Sequence, residues 1–119
     1  MRIIRPSDRQ VVEGTSNLFV GGTVEREWLI DDKIAMGLKV ILVKFSPGAR
    51  TKWHTHTSEQ LLWVTEGKGV VATKKEEQGL TPGTIAYIPA GEIHWHGATS
   101  DTQLAHLSIT TPGKTDIVE

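Results

Sequence analysis

Short apolar runs separated by glycine and proline turns are the feature of this sequence that most limits its fold. Turn residues such as Ser46-Pro47-Gly48 and Pro82-Gly83 interrupt the apolar pattern, and helical periodicity is weak throughout. Many evenly spaced short strands predict an all-β sandwich or barrel. The predicted strands are 38–45, 53–57, 60–64, 69–73, 84–88, 93–96 and 104–110, with possible further strands at 18–20 and 25–30. The charged segment 74–77 is interpreted as a solvated turn, and the tail 114–119 is expected to fray.

The composition indicates one ordinary globular domain, which we place at residues 1–119. The chain has 119 residues, 38% of them hydrophobic and 23% charged, with a formal net charge of −1. This balance argues against nucleic acid as a partner. No apolar run approaches the roughly 20 residues that span a bilayer, so no membrane partner is expected and the default location is the cytoplasm. The absence of cysteine excludes disulfides and thiolate metal sites.

All five histidines lie between residues 54 and 106 and in strand-like segments. His54 and His56 share one face of their strand, and so do His94 and His96, because side chains alternate along a strand. A single strand histidine is usually structural or on the surface. Two His-x-His pairs in a small β protein can instead converge on one metal ion.

Two longer patterns contain these histidines. The first runs over residues 48–67 and reads Gly48, His54, His56, Gln60, Gly67; the second runs over residues 83–98 and reads Gly83, Pro89, Gly91, His94. Together they resemble the two motifs of the cupin family. The resemblance implies a jelly-roll barrel of two antiparallel sheets that binds one divalent metal ion. Its ligands would be His54, His56, Gln60 and His94.

The chain departs from the family pattern at the fourth ligand, which is typically glutamate. Gln60 stands at that position here, and Glu59 is the neighbouring alternative. The spacing favours Gln60, since six residues separate it from Gly67. The asparagine that often closes the second motif is replaced by Ala98, which is not a ligand.

A longer shared pattern is similar to a subgroup of small cupins that includes manganese-dependent hydroxynitrile lyases and relatives of carboxymuconolactone decarboxylase. It comprises the segments 48–56 and 94–98 together with His106. The resemblance implies that His96 and His106 line the cavity beside the metal. It also implies a homodimer in which N-terminal strands pack across partners.

The expected chemistry follows from the ligand types. Three imidazoles and an amide are neutral, so the ion keeps its full charge and acts as a strong Lewis acid. Two open positions on an octahedral ion favour Mn²⁺ or Fe²⁺, with Co²⁺, Ni²⁺ and Zn²⁺ possible. His96 and His106 are the candidate catalytic acid and base, because an unperturbed histidine titrates near ~6.5. A hairpin turning at Asp101 would place these two opposite each other.

Other side chains carry weaker expectations. Arg50 and Lys52 lie an even number of residues before His54 and His56, so on an extended strand all four share a face, and either cation could bind an anion at the barrel mouth. A surface role is the simpler interpretation for both. Trp53, Trp63 and Trp95 are interpreted as core or interface aromatics rather than substrate-facing residues. Gly48, Gly67, Gly83 and Gly91 are interpreted as turn residues that need positive φ.

The leading hypothesis is a metal-dependent enzyme that acts on a small molecule by carbon–carbon lyase chemistry of the hydroxynitrile lyase type. A metal-dependent dioxygenase or other oxidoreductase is the first alternative. A binding module for a sugar or metabolite, without turnover, is the second. Sugar isomerase activity is a weaker possibility, because no charged pattern for a nucleotide-sugar is evident.

Overall fold

The computed structural model describes residues 1–5, 11–13 and 16–119. This described part contains thirteen β-strands and no helix, so it has no helix that could cross a membrane. The strands are β1 Val11–Glu13, β2 Phe19–Val20, β3 Val24–Ile30, β4 Lys39–Phe45, β5 Arg50–Thr51, β6 His54–His56, β7 Gln60–Gly67, β8 Gly69–Thr73, β9 Glu77–Leu80, β10 Ile85–Ile88, β11 His94–Ala98, β12 Leu104–Thr110 and β13 Thr115–Ile117.

The strands form two antiparallel sheets. Within the described residues, sheet A has six strands in the order β1-β3-β4-β12-β7-β10. Sheet B has seven, with β13-β6-β11-β5-β2 as its main path and the β8–β9 hairpin attached to the other edge of β11. The predicted all-β fold of two antiparallel sheets is therefore confirmed.

The core lies between the two sheets and follows from the alternating pattern of sheet A. On β4, Ile41, Val43 and Phe45 are buried and point inward, while the residues between them face outward. On β7, Leu62 and Val64 are buried on the same inner side. Burying each of these side chains contributes about 1.5–3 kcal/mol relative to leaving it exposed.

Most predicted strands agree with the structure to within a few residues. The strands missed by the sequence analysis are short or polar: β1, β5, β9 and β13. Strand β9 starts at Glu77, inside the segment interpreted as a solvated turn, and pairs with β8. The expectation that the tail frays was wrong, because β13 pairs with β6 and aligns Thr115 with His56. Backbone pairing with an already formed edge stabilises such short polar strands.

The four glycines interpreted as turn residues all have positive φ, which confirms that expectation. Gly91 is informative because its φ of 85° lets its amide donate to the carbonyl of His56 at 2.8 Å. This bond ties the turn before β11 to the end of β6. The left-handed conformation disfavours a side chain at this position.

The three tryptophans considered above, Trp53, Trp63 and Trp95, lie on outer faces rather than in the core. Trp63 is 46% exposed on the outer face of sheet A, where it pairs with Ile85, and Tyr87 follows on the same edge strand. Trp53 and Trp95 contact each other edge-on at 6.5 Å on sheet B. The outer apolar patch formed by Trp63, Ile85 and Tyr87 leaves an interface role open for Trp63.

Candidate metal centre

Three histidines meet on the inner side of sheet B. His54 and His56 come from β6, and His94 comes from β11, where it is the direct cross-strand partner of His54. The ring centroids of His54 and His94 are 4.2 Å apart, and those of His56 and His94 are 5.3 Å apart. One nitrogen of each of the three rings lies within 4.8 Å of the other two. These three histidines could therefore hold one metal ion.

The backbone selects the tautomer of two of these rings. Nδ1 of His54 lies 2.7 Å from the carbonyl oxygen of Lys52, and Nδ1 of His94 lies 2.9 Å from that of Glu92. A carbonyl oxygen only accepts, so each Nδ1 must donate and each Nε2 keeps a free lone pair. Donation from the other ring nitrogen is the usual way in which proteins orient a metal-binding histidine.

The third ring is oriented by the C-terminal strand. Nδ1 of His56 lies 2.8 Å from Oγ1 of Thr115, a hydroxyl that can accept from it. Among the described residues, the Nε2 atoms of His54 and His56 are buried without a hydrogen-bond partner. Buried polar atoms are rarely unpartnered, so these two nitrogens fit the role of metal ligands.

The glutamine completes this cluster, and the neighbouring glutamate points elsewhere. Gln60 is 5% exposed, and its Nε2 donates to Oγ of Ser108 at 2.9 Å. Its Oε1 then lies 3.1 Å from Nε2 of His94. Glu59 instead accepts the hydroxyl hydrogen of Tyr87 on the outer surface. The structure therefore places Gln60, rather than Glu59, against the histidines.

The contact between Gln60 and His94 brings two electron-rich atoms together, which favours a cation beside them. With Nδ1 of His94 donating to a carbonyl, its Nε2 and the glutamine oxygen direct lone pairs at each other. Two ligand atoms at right angles on an ion, each about 2.1 Å from it, lie about 3.0 Å apart. The observed 3.1 Å separation fits that arrangement. The donor set as a whole, three imidazole nitrogens and one amide oxygen, therefore fits a divalent cation.

Burial keeps the three rings neutral. It lowers the pKa of His54 to about 3, with the neighbouring His94 adding to the effect, and lowers the pKa of His56 to about 4 for the same two reasons. Burial also lowers the pKa of His94. Neutral imidazole is the form that binds a metal, so the cluster is ready for one at neutral pH.

His96 and His106 meet directly beside this cluster. Nε2 of His106 lies 3.0 Å from Nδ1 of His96, and both side chains are almost fully buried. The predicted hairpin is wrong, however, since β11 belongs to sheet B and β12 to sheet A. The chain crosses between the sheets near Asp101, and the two rings meet across the barrel interior.

The two histidines differ in their access to the cavity. His96 is among the cavity-lining residues, whereas His106 lies behind it, packed against Phe45 at 5.5 Å between ring centroids. Burial, followed by the neighbouring histidines, lowers the pKa of His96 well below its ordinary value. Burial lowers the pKa of His106 to about 4. Both rings are thus neutral at neutral pH, and neither keeps the unperturbed pKa near ~6.5 that was expected from the sequence.

A cavity of about 400 Å³ opens from the metal-binding cluster. Its inner end is lined by His54, His56, Gln60 and His96, and its walls include Phe19 and Trp28. The volume is in the range of small-molecule sites.

The positive charges of the cavity differ from those considered in the sequence analysis. Arg50 and Lys52 do not line it; Arg50 packs over the ring of Trp95 and ion-pairs with Glu119 at 3.5 Å. The cations that line the cavity are Arg26, Lys39 and Lys114. None of these three was predicted to line the cavity, because an isolated basic residue in a strand or tail carries no signal of its own.

Comparison with known proteins agrees with this geometry. The Cupin domain family matches residues 41–110. The chain is 36% identical over 113 residues to an (R)-mandelonitrile lyase from Granulicella tundricola, covering 92% of this chain and 83% of that protein.

Solved structures share the same architecture. A cupin-like protein from Thermotoga maritima is similar with a TM-score of 0.83 and 36% identity, covering 89% of this chain and 83% of that one. The polyketide cyclase RemF from Streptomyces resistomycificus is similar with a TM-score of 0.82 and 20% identity, covering 100% of this chain and 87% of that one, which bears on the fold alone. On the family match, the sequence identity and the histidine cluster, the chain belongs to the cupin family as a small single-domain member.

Proposed function

We propose that this cupin is a metal-dependent lyase that cleaves a small cyanohydrin or a similar α-hydroxy compound. The observation that carries the proposal is a cavity that opens beside three histidines able to hold a metal ion. The buried side chain of His96, the proposed base, lines the same cavity. The 36% identity to a protein named (R)-mandelonitrile lyase supports this choice of chemistry.

The metal-binding residues would be His54, His56, Gln60 and His94, and Mn²⁺ or Fe²⁺ is the proposed ion. When bound, the ion would polarise a hydroxyl or carbonyl oxygen as a Lewis acid. The amide of Gln60 adds no negative charge, and its hydrogen bond to Ser108 holds the oxygen toward the histidines. This arrangement preserves the positive charge that the reaction needs.

His96 would move the proton. In cyanohydrin cleavage, His96 accepts the hydroxyl proton, the carbon–carbon bond to the nitrile breaks, and the electron pair leaves with cyanide while the carbonyl forms. The protonated ring then returns the proton to cyanide. Burial favours the neutral ring, so the resting enzyme holds the base form that this sequence requires.

His106 would position this base. The 3.0 Å contact between the two rings allows His96 Nδ1 to donate to His106 Nε2. That tautomer leaves Nε2 of His96 with its lone pair, which is the atom that must take the proton. We therefore propose that His106 acts through His96 rather than on the substrate.

The test begins with metal content measured by plasma mass spectrometry after expression with Mn²⁺ or Fe²⁺. We expect about one ion per chain in the wild type and in a Gln78→Ala control, in which an exposed glutamine on β9 is changed. We expect clearly weaker binding in Gln60→Ala. Failure of the wild type to hold metal under either loading would refute the proposal.

The loaded protein is then assayed for release of benzaldehyde from mandelonitrile. His96→Ala should abolish release, whereas His106→Ala should reduce it and displace its pH profile. If neither variant affects turnover, the proton-transfer roles are wrong.

The same preparation separates the alternatives. Oxygen uptake coupled to turnover would favour the dioxygenase, and tight ligand binding that survives metal removal would favour the binding module. A homodimer in the cytoplasm stays a proposal, and light scattering of the purified protein tests the dimer. The apolar patch formed by Trp63, Ile85 and Tyr87 supports an interface between copies.

A further inference from the structure

Arg26 is a cation inside the cavity that the proposed reaction does not use. It lies on β3, and its guanidinium packs over the ring of Phe19 at 5.4 Å and over the ring of Trp28 at 5.5 Å. Its Nε is buried and has no hydrogen-bond partner among the residues that the structure describes. The two rings hold the planar group in place while a donor remains free.

No carboxylate among the residues that the structure describes balances the charge of Arg26. Among the side chains that the structure describes, none forms an ion pair with it, and the acidic residues of the cavity lining, Asp31 and Asp32, are not bonded to it. Burial lowers the pKa of Arg26, but a guanidinium stays charged at neutral pH. An unpaired, partly buried cation is costly to hold, which favours an anion that arrives with the ligand.

The register places Arg26 on the same inner face as His106. Arg26 is the cross-strand partner of Val43, and Val43 is that of His106. Neighbouring strands lie about 4.8 Å apart, so the backbones at Arg26 and His106 are separated by about 10 Å along sheet A. Gln60 is one strand farther, on β7. A small molecule in the cavity can therefore contact both Arg26 and the metal-binding end.

We propose that Arg26 binds a carboxylate of the substrate, and that the substrate is a planar or aromatic carboxylic acid. The body of the molecule would lie in the cavity beside this guanidinium, with its reacting oxygen toward the histidines. The guanidinium fork matches a carboxylate. The lining holds three cations, Arg26, Lys39 and Lys114, against two carboxylates, Asp31 and Asp32, so its formal net charge is +1 with neutral histidines. That charge matches a singly charged carboxylate better than a doubly charged phosphate. This inference rests on the proposed function for its reaction and adds the substrate class, a cyanohydrin or α-hydroxy compound that also carries a carboxylate. Mandelonitrile has no carboxylate and tests the lyase reaction alone.

Titration calorimetry tests the inference. It measures the binding of benzoate, and of the isosteric neutral benzamide, to the metal-loaded chain. We expect benzoate to bind the wild type about tenfold or more tightly than benzamide. Arg26→Gln should remove this preference and leave benzamide binding unchanged. Arg50→Gln is the matched control, because it changes an arginine that also packs on a tryptophan but lies outside the cavity.

Three results would overturn the inference. These are equal binding of benzoate and benzamide by the wild type, unchanged benzoate binding by Arg26→Gln, or tighter binding of phenyl phosphate than of benzoate. If Arg26→Gln does not fold, the test of the inference is the affinity for benzoate relative to benzamide, measured on the wild type and on Arg26→Lys. Repeating the titrations after chelation shows whether the preference for benzoate over benzamide is independent of metal. A failed lyase assay can then be told apart from a failure of Arg26 to bind the carboxylate.

Discussion

Acidification should destabilise the metal-free protein because of His106. This side chain is 0% exposed in the folded state, and burial lowers its pKa to about 4 from the model-compound value of 6.5. The unfolded chain therefore binds a proton at this residue between pH 6.5 and 4, whereas the folded chain does not. The free energy of unfolding must fall as the pH falls through this window.

The magnitude follows from the two pKa values. At pH 5 the unfolded ring lies 1.5 pH units below its pKa of 6.5, while the folded ring, with a pKa of about 4, stays mostly neutral. At about 1.4 kcal/mol per unit, His106 alone removes about 2 kcal/mol of stability between pH 7 and 5. This corresponds to a fall in melting temperature of about 8 °C for a domain of this size. Below about pH 4 the contribution is already lost and the dependence levels off.

The assay is urea unfolding of the chelated protein, followed by tryptophan fluorescence at pH 7, 6 and 5. His106→Leu is the matched variant, because it keeps an apolar side chain in the core and removes the titrating group. The variant should show a pH dependence that is shallower by about 2 kcal/mol over the same range.

Two results would refute this reasoning. One is a wild-type free energy of unfolding that does not fall between pH 7 and 5. The other is a His106→Leu variant with the same pH dependence as the wild type, which would assign the proton uptake to other groups.

Three further predictions concern stability and metal binding. Gly97→Ala should lower stability by at least about 2 kcal/mol in thermal unfolding, because a Cβ there would lie 2.3 Å from Cβ of Arg50; Gly79→Ala, whose Cβ would meet nothing within 4 Å, should be nearly neutral. Ser108→Ala should weaken metal binding about tenfold in a competition titration, because it removes the hydrogen bond that orients Gln60. Chelation should lower the melting temperature of the metal-loaded protein, since an ion at 1,000 times its Kd adds about 4 kcal/mol.

Each of these predictions has a clear contradicting result. Equal melting temperatures for the two glycine variants would mean that β11 and β5 can separate without cost. Unchanged metal affinity in Ser108→Ala would show that the glutamine needs no support. A melting temperature unaffected by chelation would mean that the histidine cluster does not bind the ion in the folded state.

Local patterns predicted the strands and the turns well. Alternation and β-propensity located β4, β7, β8 and β12 to within a few residues, because each buries one face in the core. Glycine positions predicted the turns, because positive φ has a strong local cause. The missed strands β1, β5, β9 and β13 have two to four residues each, too few to show an alternating pattern of their own.

The spacing of the first motif also predicted which side chains would cluster. His54 and His56 share a face for a local reason, the two-residue period of a strand. Gln60 is the first inward-facing residue of the next strand, β7. That three histidines meet required the second motif, whose His94 pairs directly with His54 in the fold.

By itself, the sequence determined the all-β class, the turns and the candidate ligands, because alternation and glycine conformation are local properties. Only the tertiary structure decided that His96 and His106 meet from opposite sheets, that Thr115 of the tail orients His56, and that Arg26 lines the cavity. These contacts join segments 10 or more residues apart, and which strands face each other is settled by burial of the whole core rather than by any local pattern.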